Sequence, residues 1–152
     1  MPYIKQFFAG GTNDIRAFRS RGLGPGSYHA STGNPLLSLF DQPGDIKLEM
    51  NVEYRAKLFS LVRWALFADA GNIWTRKADS TRPGSVFSGN FLNDVAVGVG
   101  TGLRFDLSIL VLRVDVAAPV RYPWLNDGHR WSFHSVTDVS NMVLNLAIGY
   151  PF

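Results

Sequence analysis

The side chains able to do chemistry in this sequence are mostly charged, and they recur at every second position. Lys47, Glu49, Glu53 and Arg55 alternate with Ile46, Leu48, Met50, Val52 and Tyr54. Arg63 and Asp69, Arg104 and Asp106, and Arg113 and Asp115 fall in three further stretches of the same kind. Successive side chains of a strand point to opposite faces. A period of two therefore collects these ten charges, five of each sign, on one face and leaves the other uncharged. Such an array offers ion pairing and charge-assisted hydrogen bonding rather than bond making. Catalytic sets do not emerge. His29, His129 and His134 lack metal-ligand spacing, and no Ser/His/Asp arrangement stands out. With no Cys there is neither a thiolate site nor a disulfide. Gly98-x-Gly100-x-Gly102 is not followed by the Gly-Lys-Ser/Thr of a phosphate loop, and reads instead as a stripe of small residues along one strand face. The chain is read as non-enzymatic, without cofactor or metal.

The elements that must position these charges are five strands, expected over residues 46–55, 59–74, 95–107, 109–120 and 139–152. The uncharged faces carry, among others, Val62, Trp64 and Leu66; Val97, Val99 and Leu103; Leu112, Val114 and Val116; and Leu144, Leu146 and Ile148. A soluble antiparallel sandwich would alternate in the same way. Two features favour a membrane instead. The strands run to ten or more residues, whereas about 5–6 is usual in soluble proteins and about 9–11 spans a bilayer. The connections also alternate between tight turns, at 55–58 and 106–109, and long polar segments, at 75–94 and 121–138, as in outer-membrane barrels. An Arg or Lys facing lipid costs about 2–4 kcal/mol at the bilayer midplane, and the apolar faces have none.

Composition agrees with this. Mean hydropathy is +0.02, and no stretch of about 18 apolar residues could form a membrane helix. Alternating strands average out to just such a value. Aromatic residues make up 13% and Gly numbers 15. The net charge of +3 is dispersed, so no nucleic-acid surface is read from it. No basic and apolar leader follows Met1, so the sequence is expected to be a piece or a processed form of a longer protein.

Residues 2–44 differ, with little alternation and many turn formers. Phe8-Ala9-Gly10-Gly11, then Ile15-Arg16-Ala17-Phe18 and Leu23-Gly24-Pro25-Gly26, resemble the signature loop of the BamA/TamA family, the bacterial surface antigen family of Gram-negative outer-membrane assembly factors. Gly44-Asp45-Ile46-Lys47-Leu48-Glu49, Leu66-Phe67-Ala68-Asp69-Ala70-Gly71-Asn72-Ile73-Trp74, Gly100-Thr101-Gly102-Leu103-Arg104-Phe105-Asp106 and Ile148-Gly149-Tyr150-Pro151-Phe152 continue the resemblance in the family's order, closest to its Bacteroidetes-type branch.

The resemblance implies an all-β fold. The chain would be a signature loop region (1–45) and the last five strands (46–152) of a sixteen-stranded antiparallel transmembrane β-barrel, the loop folding into a water-filled lumen. It implies that Arg16 docks on Glu53 and Asp69 beside Phe67, and alternation independently puts those three on the charged face. The family pattern has Gly where this chain has Ala17, so the loop geometry is expected to differ there. Ile148, Gly149, Tyr150 and Phe152 resemble the terminal β-signal and one side of a lateral seam. The implied function is insertion of client outer-membrane proteins, or polypeptide translocation, at that seam in the cell outer membrane. The implied partners are lipid, the clients, and periplasmic or lipoprotein assembly factors. The alternatives are a passive porin or two-partner-type secretion pore, or the barrel of an outer-membrane phospholipase fusion.

Overall fold

A computed structural model describes residues 6–29 and 41–149 of the chain. Its five strands are β1 (Ile46–Lys57), β2 (Val62–Trp74), β3 (Ala96–Asp106), β4 (Val111–Arg121) and β5 (Val143–Gly149). They form one antiparallel sheet in the order β1-β2-β3-β4-β5. The turns at 58–61 and 107–110 are too short to allow anything but antiparallel pairing of β1 with β2 and of β3 with β4, while the long connections 75–95 and 122–142 return the chain to pair β2 with β3 and β4 with β5. Ser108, at φ +63°, makes the second turn possible, and the Leu107 amide donates to the Leu110 carbonyl at 2.9 Å to close it.

The expected barrel is corrected by this topology. Among the described residues β1 pairs only with β2 and β5 only with β4, so the sheet is open and encloses no lumen. Closure needs the first and last strands to meet with consistent tilt and stagger, and about eight strands are the fewest that leave room for side chains inside. Five do not reach round. The structure is thus a small open sheet, not a closed sixteen-stranded transmembrane barrel, and the middle of the charged face is covered by chain.

The last strand is also shorter than expected. Residues Val139–Asn141 form a 3-10 turn, held by the Asp138 carboxylate accepting from the Ser140 amide at 3.0 Å, and β5 starts at Val143. The other long connection, 75–95, contains a second 3-10 turn at Phe91–Asp94, against which Phe87 and Trp74 pack with ring centroids 5.1–6.1 Å apart.

The two faces of the sheet have opposite fates. On the apolar face Met50, Tyr54, Leu144, Leu146 and Ile148 are all more than 60% exposed. On the other face Ala65, Phe67, Asp69, Arg104, Asp115 and Asn145 are buried. What buries them is the segment 6–29, which packs Ala9, Ile15, Ala17, Phe18 and Leu23 onto Phe67, Ile73, Ala96 and Ala117. This irregular segment is internally braced. The Gly11 amide donates to the Phe18 carbonyl at 3.1 Å, Leu23 to Ala9 at 3.2 Å, and Phe7 bridges to Gly44. Gly10, at φ +98°, carries a tight bend, since a Cβ there would lie 2.2 Å from the Arg19 carbonyl oxygen. The base of the segment is tied to β2 by the Gly26 amide, which donates to the Ile73 carbonyl at 2.7 Å, and by Asn72 Nδ2, which donates to the Gly26 carbonyl at 2.8 Å.

Candidate functional site

Strand register builds the site before any side chain is considered. Glu53 stands opposite Phe67, Phe67 opposite Gly100, and Gly100 opposite Ala117. The rows on either side are Asn51–Asp69–Gly98 and Arg55–Ala65–Gly102–Asp115–Asn145. Directly opposite residues share a face at about 4.5–5.5 Å, so these groups form a patch that one side chain can reach from above.

Arg16 is that side chain. Its Nε and Nη2 each donate to a separate oxygen of Asp69 at 2.8 Å, a bidentate fork. Nη1 donates to Glu53 Oε2 at 2.7 Å and lies 3.7 Å from Asp115 Oδ2. The guanidinium carbon sits 3.4 Å from the centre of the Phe67 ring, within the range of a cation–π contact. The backbone takes part as well: the Arg16 amide donates to Asp69 at 3.1 Å, and Asn145 Nδ2 donates to the Arg16 carbonyl at 2.8 Å. Arg16 and Asp69 are 4% and 0% exposed, so both charges are desolvated and depend on each other. Burial works against the Arg16 charge, but the hydrogen bonds to Asp69 and Glu53 outweigh it and hold the guanidinium above its ordinary value.

The structure therefore brings Ile15, Arg16, Ala17 and Phe18 together with Glu53, Phe67 and Asp69. Phe18 meets Tyr122 and Trp124 edge to face at 6.3 and 6.1 Å. Of the terminal-strand residues, Ile148 and Gly149 lie on β5 away from this patch, with Ile148 on the exposed apolar face. Tyr150 and Phe152 lie outside the described residues.

Several members of the site were not singled out from the sequence. Arg104 donates from Nη2 to Glu53 at 3.0 Å and from Nη1 to Asp115, so both carboxylates are shared between arginines. Asn51 Nδ2 bridges Asp69 at 2.9 Å and the Asp14 carbonyl at 2.8 Å. Alternation put all of these on the charged face. What it lacked was register, which makes them neighbours.

The glycine stripe of β3 also belongs to the site. A Cβ on Gly98 would fall 2.3 Å from Ala17 Cβ, one on Gly100 would fall 2.4 Å from the Phe67 ring, and one on Gly102 would meet Asp115 Oδ1. These glycines are the floor that lets the loop and the Arg16 cage sit down. Ala17 is not among the residues of positive φ, so its methyl fits an ordinary backbone and occupies the space above Gly98.

No group of three or more metal-ligating side chains occurs among the described residues, and the buried charges around Arg16, those of Asp69, Arg104 and Asp115, are all engaged in ion pairs. The arrangement is a lock between a loop and a sheet, built to hold rather than to react. Residues 1–137 match the family model of the Omp85 superfamily domain, a span that contains Arg16, Glu53, Phe67, Asp69, Arg104 and Asp115 and β1 to β4, but not Asn145. That relationship is consistent with an outer-membrane protein having a general, non-catalytic, assembly-factor-like role. The match covers most of the sequence, and the chain belongs to the Omp85 superfamily.

Proposed function

We propose that this chain is a working part of a factor that assembles other proteins into the bacterial outer membrane, acting through an edge strand held in place by the Arg16 lock. The observation that carries this reading is a contrast within one sheet. The middle of its polar face is covered by a loop bearing a desolvated arginine with four hydrogen bonds and a ring contact, while β5 has no strand on its outer side among the described residues. An unpaired strand edge is a template for an extended segment, which adds by main-chain hydrogen bonds. A rigid support behind it keeps the template straight.

The apolar face suits outer-membrane lipid. It is exposed from β1 to β5 and has no charge on it, as a hydrocarbon environment requires. A passive conduit is less well supported, because the face that would line it is occupied by residues 6–29. The test is the full-length protein carrying Arg16→Ala as the sole copy in cells. Levels of client outer-membrane proteins should fall, and the loop should become sensitive to protease. Normal client levels together with an unlocked loop would defeat the reading.

A further inference from the structure

The row of the sheet nearest the short turns is unlike the rows above it. Arg63 on β2 stands directly opposite Arg104 on β3, which stands opposite Arg113 on β4, which stands opposite Ala147 on β5. Lys57 continues the row on β1 toward solvent. Like charges directly across a ladder repel, so a row of this composition needs anions. The chain supplies some. Arg63 pairs with Asp106 at 2.9 Å, Arg104 with Glu53 and Asp115, and the nearby Arg55 with Glu53 at 2.6 Å. Arg16 takes Asp69 and the remaining share of Glu53. Asp14 and Glu49 are held by Lys47, each at 2.8 Å.

Five arginines thus face four carboxylates, and the one left over is Arg113. It donates only to neutral oxygens, those of the Thr12 carbonyl at 3.0 Å and the Asn13 side chain at 2.6 Å. These two bonds turn its head toward the tip of the loop and leave the cation without a carboxylate among the described residues.

Above this row is a cavity of about 580 Å³, walled by Arg55, Arg104, Arg113 and the Arg63–Asp106 ion pair on one side and by Ala147–Gly149 of β5 on the other. That volume is in the range of pockets that hold a ligand rather than a single ion. Its β5 wall is the strand that has no partner on its outer side among the described residues. We infer that the cavity is a carboxylate site for polypeptide: an extended segment lying against the end of β5 places an Asp or Glu side chain among these arginines, where Arg113 takes it as a fork. Polypeptide is favoured over a small anion because the wall offers backbone as well as charge, and because the deficit is a single carboxylate.

This inference deepens the edge-strand reading above and rests on it for the direction from which the segment arrives. The test uses the full-length protein in detergent and two capped, dye-labelled heptapeptides of alternating pattern, identical except for a central Glu or Gln. Fluorescence anisotropy should show the Glu peptide binding at least ten-fold tighter. Arg113→Gln should abolish that preference, Arg113→Lys should retain part of it, and inorganic phosphate at equal concentration should not displace the peptide. Equal binding of the two peptides, an unchanged preference in Arg113→Gln, or displacement by phosphate would each overturn it. The two readings fail separately. Loss of the preference with client assembly intact removes the cavity alone. A preserved preference in a protein whose assembly does not depend on the Arg16 lock removes the edge-strand reading alone.

Discussion

Replacing Gly98 with alanine puts one methyl group where the loop already has one. The new Cβ would stand 2.3 Å from Ala17 Cβ, whereas carbons in contact settle about 3.5–4.0 Å apart. Ala17 must then retreat by more than about 1 Å. It is poorly placed to do so, because Arg16 on one side is bonded to Asp69, Glu53 and Asn145, and Phe18 on the other is wedged against Tyr122 and Trp124. Overpacking of this kind costs about 1–3 kcal/mol. Falling on loop docking alone, that shifts the docked fraction by roughly 5- to 150-fold.

Hydrogen–deuterium exchange in the full-length protein reads this directly at the Gly11 and Phe18 amides, whose acceptors, the Phe18 and Ile15 carbonyls, lie within the loop. The second substitution, Ala17→Gly, removes the obstructing atom and leaves Ala17 Cα 3.5 Å from the added methyl, an ordinary contact. The double variant should therefore protect those amides better than Gly98→Ala alone, even though glycine at 17 costs about 0.5–1 kcal/mol of its own in chain entropy. Strictly additive effects of the two substitutions would refute the claim that Gly98 is bare in order to seat Ala17.

Other perturbations act on the same lock. Arg16→Ala leaves Asp69 buried beside Asn51 and one backbone amide, and should weaken loop docking by about 3–5 kcal/mol; limited proteolysis within 6–29 measures it, and Arg16→Lys should recover only part because an ammonium cannot fork onto Asp69. Phe67→Leu removes the ring under the guanidinium and part of the filling over Gly100, and should cost at least the about 0.5–2 kcal/mol of the cation–π contact, read by the same exchange experiment. Gly102→Ala has no room at all, since Asp115 and the Val114 carbonyl fill the position, so its yield of folded protein should drop well below that of Gly89→Ala, where nothing lies within 4 Å. Asp79, in the exposed 75–95 connection, is held at about 2, below its ordinary 3.8, by hydrogen bonds from Thr81 and Arg82. Its folded value is the lower one, so what it adds to the local turn is complete above about pH 4 and is lost as pH falls toward 2; the Thr81 amide resonance should titrate near 2, and nearer 3.8 in Arg82→Gln.

Different parts of the molecule were legible to different degrees. Alternation placed Glu53, Phe67 and Asp69 on one face because the period of a strand is a property of its own backbone. The same rule held for Arg104, Asp115, Asn51 and Asn145, yet nothing in the pattern distinguished them from Arg63 or Asp106. The two short turns were legible, but the first lies at 58–61 rather than 55–58, because Arg55, Ala56 and Lys57 stay paired with Ala65, Trp64 and Arg63. The start of β5 was not, because a polar side chain at Asp138 captured the backbone locally and held back the strand. Gly98, Gly100 and Gly102 looked like generic small residues until the loop was seen lying on them.

The sequence by itself determined which side chains share a face and that one face is free of charge, since both follow from spacing along a single strand. The residues around Arg16 also carried a resemblance that agrees with the chain's membership of the Omp85 superfamily, though not with any one branch of it. Only the tertiary structure decided that the five strands form an open sheet rather than a closed wall, since closure depends on whether the first and last strands meet. Only it decided that the middle of the charged face is buried under the loop, that Arg16 sits between Asp69 and Glu53, and that Arg113 has no carboxylate among the described residues. Each of those outcomes depends on register and on contacts between residues up to about 130 positions apart, as in Arg16 and Asn145, and no local period encodes them.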